Sequence, residues 1–185
     1  MILFGWVTLL LFPIPGYFFQ FYFNESNVIE FLSLKDFKMI PIVYGLCLGI
    51  FYGFIAYLFM QAPFFEKIPI KINHLVRNMK LNIRDGLFLS LCAGIGEEFL
   101  FRQGIQPFIG PFITAILFVA LHGYLNPLNL RFSVYGLIVL PFIFLISYGL
   151  EPFGIWFCIA AHFSYDAVLF TFMIKEDQDI PFIRN

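Results

Sequence analysis

Six ionisable side chains lie inside apolar stretches of this 185-residue chain: Glu97, Glu98, Arg102, His122, His162 and Asp166. They fall into three short motifs. Glu97-Glu98-x-x-x-Arg102 comes first, Phe118-x-x-x-His122 second and His162-x-x-x-Asp166 third. A charged group near the middle of a bilayer costs about 2.5–3.5 kcal/mol even on lenient insertion scales, so such groups are rare and usually functional. A carboxylate and an imidazole around one water can activate it for attack on a peptide carbonyl. A second imidazole with a polar neighbour can stabilise the oxyanion that forms. The same residues also support a zinc-assisted variant, in which Glu97, His122 and His162 hold the ion with a water in the fourth position. The cofactor expected is therefore either none or a single divalent metal such as zinc.

Spacing within each motif is helical. Glu98 and Arg102 stand four apart, so they share a helix face and can pair. His162 and Asp166 share the same interval, close enough for the carboxylate to orient the ring. Arg102 favours the charged form of Glu98, which leaves Glu97 as the carboxyl free to exchange a proton. Gly94 and Gly96, just before the pair, permit another backbone to approach closely or leave room for a water-filled pocket.

The elements that must position these groups are membrane-spanning helices, each needing about 20 mostly apolar residues. Six segments meet or approach that length, at about 2–23, 40–62, 86–106, 111–125, 133–150 and 153–174. The fourth is short and is expected to begin or end inside the protein or to tilt little. Prolines 13, 15, 107, 111, 127, 141 and 152 mark kinks or ends. At about 1.5 Å per residue, Glu97, His122 and His162 each lie roughly 14–16 Å from the start of their own span, which puts all three near the mid-plane. The first segment lacks a basic leading region and a small-residue cleavage site, so it reads as a membrane helix and not a signal peptide.

Composition agrees. The chain is 61% hydrophobic and 12% charged, against about 25% charged in soluble domains, which makes lipid its main solvent. The net charge of -1 offers no basic surface for nucleic acid. Cys47, Cys92 and Cys158 are scattered through apolar runs and read as small packing residues, not a disulfide framework. Five of the eleven basic residues, Lys67, Lys71, Arg77, Lys80 and Arg84, fall in the connection 63–85. The positive-inside rule places that connection, and with six spans both termini, in the cytoplasm of a cell whose plasma membrane holds the protein. Ile72, Leu75, Val76, Met79 and Ile83 predict an amphipathic helix within the connection, and Asp85 is expected to cap the helix that follows.

Three motifs in this order on separate spans resemble the CAAX protease and bacteriocin-processing family of intramembrane proteases, also called the Abi family, which includes the type II CAAX prenyl endopeptidases. The resemblance covers roughly residues 86–170. It implies an all-helical polytopic membrane fold: N-terminal spans and the connection over 1–85, a catalytic core over 86–174 and a tail over 175–185. It also implies a cavity open to the cytoplasmic side and a peptide or protein substrate at the membrane. Glu97 and His122 would activate water, while His162 with residue 166 would stabilise the oxyanion. Glu98 and Arg102 would support or position, and Phe118 would pack beneath the histidine. The family pattern accepts Asn or Asp at the last position, and this chain has Asp166. A carboxylate donates no hydrogen bond unless protonated, so Asp166 is expected to orient His162 or to bind a metal.

Plainer readings exist for several of these residues. Glu98 and Arg102 could form a purely structural ion pair. Phe99 and Phe101 read as packing groups, His74 as a solvated loop residue and Glu151 as solvent-facing, with Ser164 and Tyr165 as candidates to line a cavity. Two other function classes use similar residues: a proton- or ion-coupled transporter, and a non-catalytic bacteriocin-immunity or scaffold protein. Six spans without an internal repeat fit poorly with repeat-built transporters.

Overall fold

A computed structural model of the chain describes residues 2–62, 81–125 and 130–179. Apart from Ile83, the amphipathic helix expected in the connection lies outside them, as do His74 and Pro127. The regular elements among the described residues are all helices, without strands: α1 (Ile2–Leu11), α2 (Pro13–Asn24), the short α3 (Val28–Phe31), a 3-10 turn (Leu34–Asp36), α4 (Met39–Met60), α5 (Ile83–Glu98), a π-helical stretch (Phe99–Ile105), α6 (Gln106–Leu121), α7 (Leu130–Phe153) and α8 (Ile155–Asp179).

Among the described residues, five helical runs are long and apolar enough to cross a membrane: 2–24, 39–60, 83–121, 133–153 and 155–175. The third, Ile83–Leu121, contains the segment expected at 86–106 and all but the last four residues of the one expected at 111–125. It folds back at Gly110, whose φ of 78° and ψ of 164° no residue with a Cβ adopts readily. Phe101 and Phe118 meet across this hairpin with ring centroids 5.0 Å apart, and Glu97 meets His122. Pro111 favours the reversal, because the residue before a proline avoids the α region. Six rods therefore arise from five runs.

Glycines set how the rods pack. Gly45, Gly49 and Gly53 on α4 lie successively against Phe157, Ala161 and Ser164, then Tyr165 and Val168 of α8, so these two helices run parallel. Gly5 lies near Leu89 and Cys92, and Gly16 near Leu100, which makes α1–α2 parallel to α5. Gly86 and Gly94 meet Phe170 and Phe163, in descending order along α8, so α5 and α8 are antiparallel. The start of α1, the end of α4, the start of α5 and the end of α8 consequently share one side. Only 11% of the first run is buried inside the protein against 56% of the last, so α8 is the central rod and α1–α2 the peripheral one. Phe18, Tyr22, Ile40 and Phe51 face outward, as apolar side chains in contact with lipid do.

Helix α5 starts at Ile83, three residues earlier than expected. Its N-cap is Asn82, and Asp85 completes a capping box: Asp85 N donates to Asn82 Oδ1 and Asn82 N to Asp85 Oδ2, both at 3.0 Å. The three cysteines are free.

Candidate active site

The α5 rod presents three different stripes. Ser90, Gly94, Glu98, Arg102 and Gln106 repeat every four residues, and all are buried. Leu89, Ala93 and Glu97 repeat alongside them and line a cavity of about 430 Å³. Gly96 lies against the Thr8 backbone of α1, and Gly94 against Ile159 and Phe163 of α8. Both glycines serve close backbone approach, which pins the glutamate pair between two helices. The chain widens into the π-helical stretch directly after Glu98. Such widenings are frequent at functional sites.

The motifs converge. Glu97 Oε2 stands 3.3 Å from His122 Nε2, with the side chains 14% and 31% exposed. His122 Nδ1 donates to the Phe118 carbonyl at 2.8 Å, which fixes a proton on that nitrogen and turns Nε2 to the carboxyl. His162 Nδ1 donates to Glu98 Oε1 at 2.8 Å, while its Nε2 lies 3.5 Å from Asp166 Oδ2. Glu98 Oε2 stands 3.2 Å from Arg102 Nε, both side chains fully buried. Glu97, His122, His162 and Asp166 all line the cavity. Glu98 and Arg102 stand behind it and connect to it through His162.

His122 occupies the end of a rod, whereas its span was expected to continue to about residue 125. Gly123, at φ 75°, terminates α6. Its N–H donates to the Ala120 carbonyl at 2.9 Å and the Tyr124 N–H to the Val119 carbonyl at 3.2 Å, a Schellman pair of bonds. The histidine is the capping residue itself.

Phe118 holds three members of the site at once. Its ring stacks under His122 with centroids 4.2 Å apart and planes at 24°, and meets His162 edge-on at 5.7 Å. The Arg102 guanidinium carbon lies 5.0 Å from the ring centre. Behind this layer Gln106 Nε2 donates to the Ser147 carbonyl at 2.7 Å.

Of the two further candidates on α8, Tyr165 lines the cavity and Ser164 does not. Ser164 Oγ donates instead to the Ala160 carbonyl at 2.8 Å, beside Gly49. Glu151 is exposed as expected. Tyr124, Tyr135 and Phe142 also line the cavity, and the motif reading did not find them. The signal available was the His-Gly-Tyr run at 122–124, in which glycine ends a helix and turns the next aromatic back towards the histidine.

The zinc-assisted arrangement fits this geometry poorly. Among the described residues no three His, Cys, Asp or Glu side chains are grouped as a metal ion requires. Both nitrogens of His162 lie against carboxylates, so neither offers a free lone pair to a metal ion.

Among known families, residues 80–168 match the one described as Type II CAAX prenyl endopeptidase Rce1-like. Comparison with curated proteins and with solved structures gave no match. The matched segment contains all three motifs. The match makes residues 80–168 similar to the Rce1-like domain of a protease family, and the apolar rods make the chain an integral membrane protein of several membrane-spanning helices.

Proposed function

We propose that the chain is an intramembrane endopeptidase with its catalytic core over 86–174, in which Glu97 and His122 activate the attacking water. The observation that carries this reading is the approach of Glu97 to His122 on the wall of a cavity shared with His162 and Asp166. Water between the pair and a substrate carbonyl loses a proton to the pair as its oxygen bonds to the carbonyl carbon. The same proton returns to the leaving nitrogen as the C–N bond breaks. His162 Nε2–H, on the same wall, donates to the oxyanion. The fully buried Glu98–Arg102 pair holds His162 through Nδ1 and is a positioning device.

The cavity runs from this layer towards Met60, Leu89 and Met173, the rod ends nearest the 63–85 connection and the tail. With five basic residues in that connection, this side is cytoplasmic in our reading, and both termini lie on it. The walls along this path are apolar, which suits a lipid-modified or apolar peptide.

The test uses the purified protein in liposomes with an internally quenched farnesylated peptide ending in a CAAX motif. Wild type is expected to cleave it and Glu97→Gln to leave it intact while inserting and melting like wild type. Cleavage by Glu97→Gln at the wild-type rate would remove Glu97 from the chemistry.

A further inference from the structure

The Asp166 carboxylate faces a histidine nitrogen and cannot lend an oxyanion the N–H that an asparagine amide would. Another neutral donor stands one residue earlier on α8. Tyr165 lines the cavity, is 5% exposed, and its ring stacks on Phe142 at 4.4 Å and 21°. Its Oη is buried and makes no hydrogen bond of good geometry. The group that interacts with it is the Tyr135 hydroxyl, on the same cavity wall. The position of Tyr165 three residues from His162 puts both side chains on one face of α8.

We propose that Tyr165 is a catalytic residue whose hydroxyl donates a hydrogen bond to the substrate's carbonyl oxygen as it becomes the oxyanion, the function that Asp166 cannot perform. The inference rests on the hydrolase reading above. Tyr165 transfers no proton. The water proton goes to the Glu97–His122 pair, the carbonyl π electrons move onto oxygen, and Tyr165 Oη–H and His162 Nε2–H receive the charge by hydrogen bonding. The oxygen lone pair then re-forms the carbonyl as the C–N bond breaks, and the protonated pair returns its proton to the amine. A phenol held rigid by stacking needs no reorganisation at that moment.

The experiment is Tyr165→Phe, which removes Oη and keeps the stacked ring, assayed with the same farnesylated peptide beside Glu97→Gln. The expected result is kcat lower by about 10²-fold, the size of losing one oxyanion donor, with KM and melting temperature unchanged. Adding Asp166→Asn to Tyr165→Phe supplies an amide donor and is expected to recover part of the loss. A merely structural tyrosine would lower the melting temperature, raise KM and gain nothing from Asp166→Asn, and that result would overturn the proposal. Wild-type kcat in Tyr165→Phe while Glu97→Gln is inactive rejects the tyrosine and keeps the hydrolase. Cleavage by Glu97→Gln, or none by wild type, rejects the reading and the inference with it.

Discussion

His162 Nδ1 donates to Glu98 Oε1 across 2.8 Å, joining α8 to α5 at a point where neither side chain meets bulk water. Glu98 is also the ion-pair partner of Arg102, so one buried carboxylate serves a guanidinium and an imidazole. Removing one member of a buried ion pair leaves the other charge uncompensated, whereas replacing both with apolar groups is often tolerated. Glu98→Gln is therefore expected to destabilise the fold by about 3–5 kcal/mol. The accompanying fall in melting temperature in detergent is on the order of 10 °C. The double variant Glu98→Leu with Arg102→Met should recover most of that stability but not activity, since His162 loses its anchor in both. A double variant as active as wild type would show that the pair only supports the fold.

Phe118 contacts His122, His162 and Arg102 at once, and its ring does what no aliphatic side chain can. Phe118→Leu keeps a buried apolar group but loses an aromatic pair worth about 0.5–1.5 kcal/mol and a desolvated cation–π contact worth about 2 kcal/mol. Activity should fall more steeply than stability, because His122 then rotates more freely about its remaining bond to the Phe118 carbonyl. Kinetics should show the loss in kcat, with KM little changed, and thermal unfolding a modest shift. An equal loss of stability and activity, with no kcat effect in the folded fraction, would reduce Phe118 to packing.

Much of this was legible in the sequence because the bilayer leaves few solutions for a polar group. Ionisable residues in apolar runs stand out against a background that cannot solvate them, and spacing by four predicted both the Glu98–Arg102 and His162–Asp166 pairings. Less legible were the places where one residue's backbone angles decide the geometry. Gly110 joins two expected spans into one hairpin, and nothing in its Pro-Phe-Ile-Gly-Pro context states which way the chain leaves. Ser164 and Tyr165 are neighbours on α8, yet only contact with Gly49 tells that the serine faces α4 and the tyrosine the cavity. Asn82 was missed as a cap because Asp85 is also a good capping residue, and the two act together.

The donor arrangement also bears on metal dependence. With His162 held between Glu98 and Asp166, the groups facing the Glu97–His122 pair form no three-donor set among the described residues. Incubation with a strong zinc chelator, then its removal, is expected to leave the cleavage rate unchanged. A rate lost to the chelator and restored by added zinc would mean that His162 turns away from its carboxylates when the protein is active.

The strictest test of how the fold serves the site is Gly123. A Cβ there would meet nothing within 4 Å, so any effect of substitution comes from the backbone, held at φ 75°. For a residue with a Cβ the left-handed region costs about 1–2 kcal/mol, and a β-branched residue fares worst, while asparagine enters it readily. Gly123→Val is expected to unwind the two bonds that close α6 and displace His122, the residue they cap. A displacement of about 1 Å at a catalytic group can cost about 10²-fold in rate. Gly123→Asn keeps the left-handed turn and should retain most of the activity. If valine and asparagine are equally active, the end of α6 does not position His122, and its ring must be held by Phe118 and Glu97 alone.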